Sequence, residues 1–290
     1  MPTPTEPSAR PRTWFITGGT PGGFGMAYAE AALSRGDRVA LTARRGGLLQ
    51  GWARDQGDRA LALSLDVTDP VQVQAAVGAA EERFGGIDVL VNSAGRGWVG
   101  SVEGMGEADL RSLFELNFFA AVSVTRAVLP GMRDRRGGWI VMMSSVAGLR
   151  PVPGFGYYTA AKHAIEGLAA TLRTEVADFG VRVLTVEPGA FRTRAYAGFA
   201  DEPIAEPLTA YHPLLESVRA AMIGEHGRQP GDPRRGAEAV LDAMDRAAPP
   251  HRLVLGSAAF DAVAKALDDE KADIEASEAL ARGADFPAGR

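Results

Sequence analysis

The strongest constraint on this chain is an alternation. From Arg12 onward, short apolar runs rich in β-branched residues are separated by longer amphipathic segments, the pattern of a parallel sheet whose strands are joined by crossover helices. Strands are expected at 13–17, 38–43, 60–65, 87–92, 139–144 and 181–186, with a last one near 252–255. Runs such as Ile87-Asp88-Val89-Leu90-Val91 are apolar almost throughout, as burial on both faces requires. Helix ends are readable between them: a helix over 25–34 stops at Gly36, and Asp69-Pro70 opens another that runs to Phe84 before Gly85-Gly86. Seven strands suit one doubly wound α/β domain, helices on both faces, spanning 12–290.

Outside that alternation the chain changes character. Residues 1–11 are rich in Pro and polar residues, with no apolar core after the arginines, and are expected as a disordered lead-in and not a signal peptide. Residues 194–235 carry Pro, Gly and scattered aromatics around one helical patch at 214–222, which reads as a lid over a substrate site. From 236 to 290 the core is extended by a helix near 233–246, the last strand, and a charged helix near 258–282 expected to present a solvated face. The most apolar stretch, 118–129, is interrupted by Arg126 and is too short for a membrane span of ~20 residues, so no membrane partner is expected. A net charge of −5 with no long basic run argues against nucleic acid. Cysteine is absent, which removes disulfides, thiolate metal sites and cysteine nucleophiles, and fits a cytoplasmic location. His163, His212, His226 and His251 have no metal-ligand spacing, and no metal is expected.

The first chemical signal is the segment Trp14-Phe15-Ile16-Thr17-Gly18-Gly19-Thr20-Pro21-Gly22-Gly23-Phe24-Gly25, a strand running into a glycine-rich turn and then a helix. Glycines let the backbone approach a pyrophosphate, and the helix start aims free N–H groups and a positive dipole end at it. Directly after the first strand of an alternating βα chain, such a loop reads as a dinucleotide site, with Gly19, Pro21, Gly23, Phe24 and Gly25 as its contacts. In this architecture an acid at the end of the second strand holds the ribose 2′-hydroxyl, whereas an arginine accommodates a 2′-phosphate. Here that strand ends Thr42-Ala43-Arg44-Arg45 without an acid, so NADP is expected over NAD, with Arg44 on the phosphate.

The second signal is Tyr158 and Lys162, four residues apart at the start of a helical segment and therefore on one helix face. A neighbouring cation favours the charged form of a phenol and lowers its pKa, which makes the pair a candidate acid/base. Tyr157 has no such partner. In order along the chain, the glycine loop, Asn92-Ser93-Ala94-Gly95, Ser144-Ser145, Tyr158-x-x-x-Lys162 and Pro188-Gly189 resemble the short-chain dehydrogenase/reductases over about 12–193. The resemblance implies a single Rossmann domain and an oxidoreductase that moves a hydride between the nicotinamide and a carbonyl or secondary alcohol. It implies that Tyr158 is the general acid/base, that Lys162 lowers its pKa and binds the nicotinamide ribose, and that Ser145, thirteen residues before Tyr158, polarises the substrate oxygen. Asn117 falls on the family's water-anchoring member of the proton relay. Asp66 and Val67, Asn92, Ala94 and Gly95, Pro188, Gly189 and Thr193 are implied as cofactor contacts. A homodimer or homotetramer is implied as well.

Two residues depart from the family pattern. Thr17 lies one residue too early relative to Gly19-x-x-x-Gly23-x-Gly25, meaning either a one-residue insertion or a lost threonine contact, and Ser93 stands where a second Asn is usual. Trp98, Phe155, Tyr196 and Phe199 are candidates to line an apolar substrate pocket. The competing readings are a non-catalytic dinucleotide-binding redox sensor and an epimerase or dehydratase that recycles its hydride internally.

Overall fold

The computed structural model describes residues 10–286 apart from 197, 202, 203 and 205. All seven expected strands form, within two residues of their expected bounds: β1 Thr13–Ile16, β2 Arg38–Ala43, β3 Ala60–Ser64, β4 Val89–Asn92, β5 Gly138–Met143, β6 Val181–Pro188 and β7 Arg252–Leu255. They make one parallel sheet in the order β3-β2-β1-β4-β5-β6-β7. Chain order reverses between β1 and β4, and a crevice opens at the carboxyl ends of the strands at such a switch point.

Helices α1 Phe24–Ser34, α2 Gln50–Asp55, α3 Pro70–Phe84, α4 Glu107–Phe114, α5 Ala120–Asp134 and α6 Gly156–Glu175 join the strands. The chain then continues through α7 Gly198–Asp201, α8 His212–Glu225, α9 Pro233–Met244, α10 Ser257–Ala276 and α11 Glu278–Arg282. Local sequence sets these ends. The Asp69 carboxylate accepts from the N–H groups of Val71 at 2.9 Å and Gln72 at 3.2 Å, Pro70 takes the first helical position, and Gly85 ends α3 at φ +83°.

Side chains alternate across each strand, which splits the core into two layers. On β1, Trp14 and Ile16 face the layer built with α1 and α9, whereas Phe15 faces the layer built with α3, α5 and α6. All four β1 residues are fully buried, and each large apolar side chain so placed contributes ~1.5–3 kcal/mol. Trp14 also finds a partner for its indole N–H, the Asp37 carboxylate at 2.8 Å.

The apolar stretch at 118–129 is part of a longer element than expected. A continuous helical run covers Glu107–Asp134, with a π-helical turn at Glu115–Phe119, and by length and composition it is long and apolar enough to cross a membrane. Its buried residues Ala120, Val124, Val128 and Met132 form one stripe against the sheet, so in this fold its apolar face serves the core.

Of the lead-in expected over 1–11, residues 1–9 lie outside the described residues, whereas Arg10 within it ion-pairs with Asp88 at 2.7 Å. In the excursion expected as a lid, α8 extends the 214–222 patch by a few residues at each end. Phe199, Tyr211, Leu215, Val218 and Met222 from this excursion form a third apolar cluster with Val99, Val152, Phe155 and Tyr158. The charged helix expected near 258–282 is divided into α10 and α11, and most of its residues are exposed.

Candidate active site

The glycine loop follows β1 at the carboxyl edge of the sheet. Gly18 and Gly22 hold φ values of +75° and +80°, which suit glycine. A Cβ on Gly25 would stand 2.4 Å from the Gly18 carbonyl oxygen, so α1 can begin tightly against the loop only with glycine there. Gly19 is buried against Leu41 and donates its N–H to the Thr42 carbonyl at 2.8 Å. Gly23 caps α1 without a side-chain partner for the helix N–H groups, and no acid sits in the first turn. That leaves unsatisfied donors and a positive dipole end, the chemistry that suits a diphosphate.

The displaced threonine is resolved in favour of an insertion. Thr17 Oγ1 accepts from the N–H groups of Ser93 at 3.0 Å and Ala94 at 3.1 Å, so it still ties the β1 turn to the loop after β4. Other expectations at this edge need correction. The Phe24 ring packs into the core, 5.0 Å from the Phe191 ring, leaving only its backbone toward the loop. Asn92 is buried and donates to Thr125 Oγ1 at 3.0 Å and to the Met142 sulfur at 3.3 Å, so its side chain supports the sheet and does not face the crevice. Gly189 donates to the Leu255 carbonyl at 3.0 Å, and a Cβ there would stand 2.5 Å from that of Ala259. Its lack of a side chain therefore answers to the packing of α10, while Pro188 ends β6 beside it.

Pro21 is exposed on the loop and Arg44 is exposed at the tip of β2. Asp66 follows β3, where the Thr68 hydroxyl and N–H hold its carboxyl below the usual range and Arg44 adds to the effect. Val67 beside it is buried. Thr193 is half-buried and accepts from the Ala195 N–H at 3.4 Å. The next residue, Arg194, donates its N–H to the Gly22 carbonyl at 3.3 Å, so the excursion touches the glycine loop directly.

Ser145 leaves β5 and caps the short turn Val146–Gly148, its hydroxyl accepting from the Ala147 N–H at 3.2 Å. Tyr158 sits in the first turn of α6, where the nearby Ser145 hydroxyl acts to lower the pKa of its phenol. The buried Lys162 donates to the Met143 carbonyl at 2.8 Å and lies 5.6 Å from the centre of the Tyr158 ring. Ser145, Tyr158 and Lys162 are thus brought together at one edge of the sheet. The electrostatics differ from expectation. Burial pushes the Tyr158 phenol up, the Ser145 hydrogen bond pulls it back, and Tyr196 raises it further; the Lys162 ammonium is not among the causes. Lys162 itself is pushed down to about 8 by burial, with Glu166 acting in the opposite direction. From this chain's own groups, therefore, desolvation and not the cation dominates the phenol. Tyr157 is anchored elsewhere, donating to the Val102 carbonyl at 2.8 Å.

Asn117 lies in the π turn, a feature that often marks functional sites. Its side-chain oxygen accepts from the Arg96 N–H at 3.1 Å, and its amide donates to the Arg96 and Leu113 carbonyls at 3.1 and 3.0 Å. Expected in a proton relay, the side chain acts in this structure as a clamp on the loop after β4, leaving no amide donor for a relay. Gly95 stands between the two: a Cβ there would lie 2.7 Å from the Asn117 oxygen and 3.8 Å from Lys162 Nζ.

An apolar wall borders Tyr158. The Phe155 ring stands edge-on to Tyr158 and to Phe199, with centroids 6.1 and 5.9 Å away, and Tyr196 lies 6.4 Å from Phe199. Trp98 instead stacks under Arg96, 4.8 Å from its guanidinium carbon. Sequence reasoning missed Glu206, whose buried carboxylate accepts from the N–H groups of Ser101 and Leu208 at 3.0 Å each and latches the excursion to the loop after β4. It missed Glu187 and Arg252, which pair at 3.0 Å, and Glu166, whose spacing of four from Lys162 was the available signal. Among the described residues, no group of three or more His, Asp or Glu is placed to hold a metal.

Comparison with known proteins shows the family and the fold. The family model described as short chain dehydrogenase matches residues 12–203. An oxidoreductase of Botryotinia fuckeliana is 36% identical over 259 residues, covering 89% of this chain and 93% of that protein. The crystal structure of a short-chain dehydrogenase from Streptomyces avermitilis superposes with a TM-score of 0.87 at 41% identity, covering 96% of this chain and all of that one. A short-chain dehydrogenase/reductase from Burkholderia phymatum, solved in complex with NAD, superposes with a TM-score of 0.80 at 25% identity, covering 91% and 95% of the two chains.

Proposed function

The chain belongs to the short-chain dehydrogenase family and is an oxidoreductase of the kind that uses NAD(P); on that premise we propose that it interconverts a hydrophobic carbonyl compound and its secondary alcohol with NADP(H). The observation that carries the proposal is the convergence of Ser145, Tyr158 and Lys162 at one edge of the sheet, with the Lys162 ammonium held on the Met143 carbonyl 5.6 Å from the centre of the phenol ring. The nicotinamide, when bound, supplies or accepts the hydride. Ser145 and Tyr158 hold the carbonyl oxygen between two hydroxyls, and Tyr158 gives its proton to the oxygen as negative charge develops there. In the oxidative direction Tyr158 takes that proton back.

The donor-rich start of α1 and the close approach at Gly19 and Gly25 fit a dinucleotide. The preference for NADP rests on Arg44, exposed at the tip of a strand that ends without an acid. The substrate class rests on Phe155, Phe199 and Tyr196 around Tyr158, an apolar wall with few polar anchors. We place the enzyme in the cytoplasm, as a homodimer or homotetramer, acting on small molecules without nucleic-acid or membrane partners.

A panel of ketones, aldehydes and secondary alcohols tested with NADPH, NADP, NADH and NAD decides the reading. Stoichiometric change in nicotinamide absorbance, fastest with bulky apolar substrates and the phosphorylated cofactor, is expected. Turnover without net absorbance change would point to an epimerase or dehydratase, and cofactor binding without any turnover to a sensor.

A further inference from the structure

More charge is buried around Lys162 than proton transfer by Tyr158 requires. Glu187, at the end of β6, is fully buried, and the Glu166 side chain on α6 is 10% exposed. Arg252, opening β7, reaches both, with Nη2 at 3.2 Å from Glu166 and Nε at 3.0 Å from Glu187. Two glutamate side chains therefore share one guanidinium. Glu166 stands four residues beyond Lys162 on the same face of α6; it makes no direct ion pair with the ammonium, which donates to Met143, and acts on it through space. The turn after β5 closes the cluster. A Cβ on Gly148 would lie 2.5 Å from Ser144 Oγ, 3.1 Å from the Lys162 carbonyl oxygen and 3.2 Å from Glu166 Cγ, so the glycine lets α6 press this face onto Ser144. Ser144 adjoins Met143, whose carbonyl accepts from Lys162.

We infer that Glu166, anchored by Arg252 and pressed on the Ser144 turn, is a positioning residue for Lys162: its carboxylate keeps the ammonium charged, held on the Met143 carbonyl and within reach of Tyr158. Desolvation works against a buried ammonium, and a fixed counter-charge offsets it. The charged and titratable groups involved are Tyr158, His163, Glu166 and Arg173 on α6, Glu187 on β6 and Arg252 on β7. The catalytic consequence rests on the proposed oxidoreductase reading; the electrostatic one does not.

The chain has three lysines, Lys162, Lys265 and Lys271. The last two are exposed on α10 and pair with Asp269 and Glu275, so NMR titration of isotope-labelled lysine side chains separates Lys162 directly. Glu166→Gln is expected to lower the Lys162 midpoint by about one pH unit and to move the high-pH limb of carbonyl reduction down with it. Glu166→Asp, which keeps the charge, is expected to shift both by less. A folded Glu166→Gln protein with an unmoved Lys162 midpoint overturns the inference. Should that variant not fold, Glu166→Ala, which also removes the charge, is read in the same way, and an unmoved Lys162 midpoint in it overturns the inference. If the midpoint moves while the wild-type protein reduces no carbonyl, the positioning role stands and the oxidoreductase reading fails.

Discussion

The proposed preference for NADP rests on one guanidinium, at position 44. Arg44 is exposed where a 2′-phosphate would lie against β2, and no acid at the tip of that strand competes for a ribose hydroxyl. Arg44→Asp is therefore expected to raise KM for NADPH at least tenfold, the loss of about 1.4 kcal/mol or more from a charge-assisted contact, and to leave KM for NADH nearly unchanged. Steady-state kinetics with both cofactors measure this, and equal effects would remove Arg44 from the phosphate. Glu187 makes a different prediction. Burial and the neighbouring Glu166 push its carboxyl up to about 8, with Arg252 only partly opposing them. A raised folded-state pKa means that the folded chain holds a proton the unfolded chain has already lost. Its stabilising contribution is present below the ordinary glutamate range and is lost as pH rises toward 8. Glu187→Gln should thus gain in Tm relative to wild type between pH 5 and pH 8.5; a Tm difference that is flat with pH would contradict the assignment.

Among the elements, the excursion after β6 packs against Tyr158. Its tethers to the rest of the chain include Arg194 on the Gly22 carbonyl, the Tyr211 hydroxyl on Glu103 at 2.7 Å, and Glu206 on the backbone of Ser101. Glu206 is the most confined of these, since Gly104 leaves no room for a Cβ beside its carboxylate. Glu206→Ala leaves the Ser101 and Leu208 N–H groups without their acceptor. Hydrogen exchange is expected to quicken in α8 and at 101–104, and KM for bulky substrates to rise more than kcat falls. Exchange confined to its wild-type rate in both segments would mean that the latch carries no weight.

For the whole molecule, the strand count, the crossover helices and the convergence of Ser145, Tyr158 and Lys162 were legible because each has a local signature: apolar runs, glycine stops, and a four-residue helical spacing. What stayed hidden depends on contacts far apart in sequence. Glu206 meets Ser101 across 105 positions and Arg252 meets Glu166 across 86, and neither pair has a motif. The π turn at Asn117 likewise reflects tertiary demand, since nothing in Glu115-Leu116-Asn117-Phe118-Phe119 breaks helical propensity. The directions of the Phe24 and Asn92 side chains stayed hidden for a related reason: a motif fixes where the backbone runs, whereas a side chain turns to whichever face of the sheet can satisfy it. The direction of the Tyr158 shift escaped because spacing reports a neighbouring cation but not the depth of burial.

The most direct test of the Ser145–Tyr158–Lys162 assignment is single-turnover nicotinamide absorbance with the Tyr158→Phe variant, alongside cofactor binding by nicotinamide fluorescence. Removing one hydroxyl should slow hydride transfer by about 10²–10⁴-fold while cofactor affinity and Tm stay within a small margin of wild type. Turnover at the wild-type rate by a folded Tyr158→Phe protein would contradict the assignment of residue 158 as the proton donor.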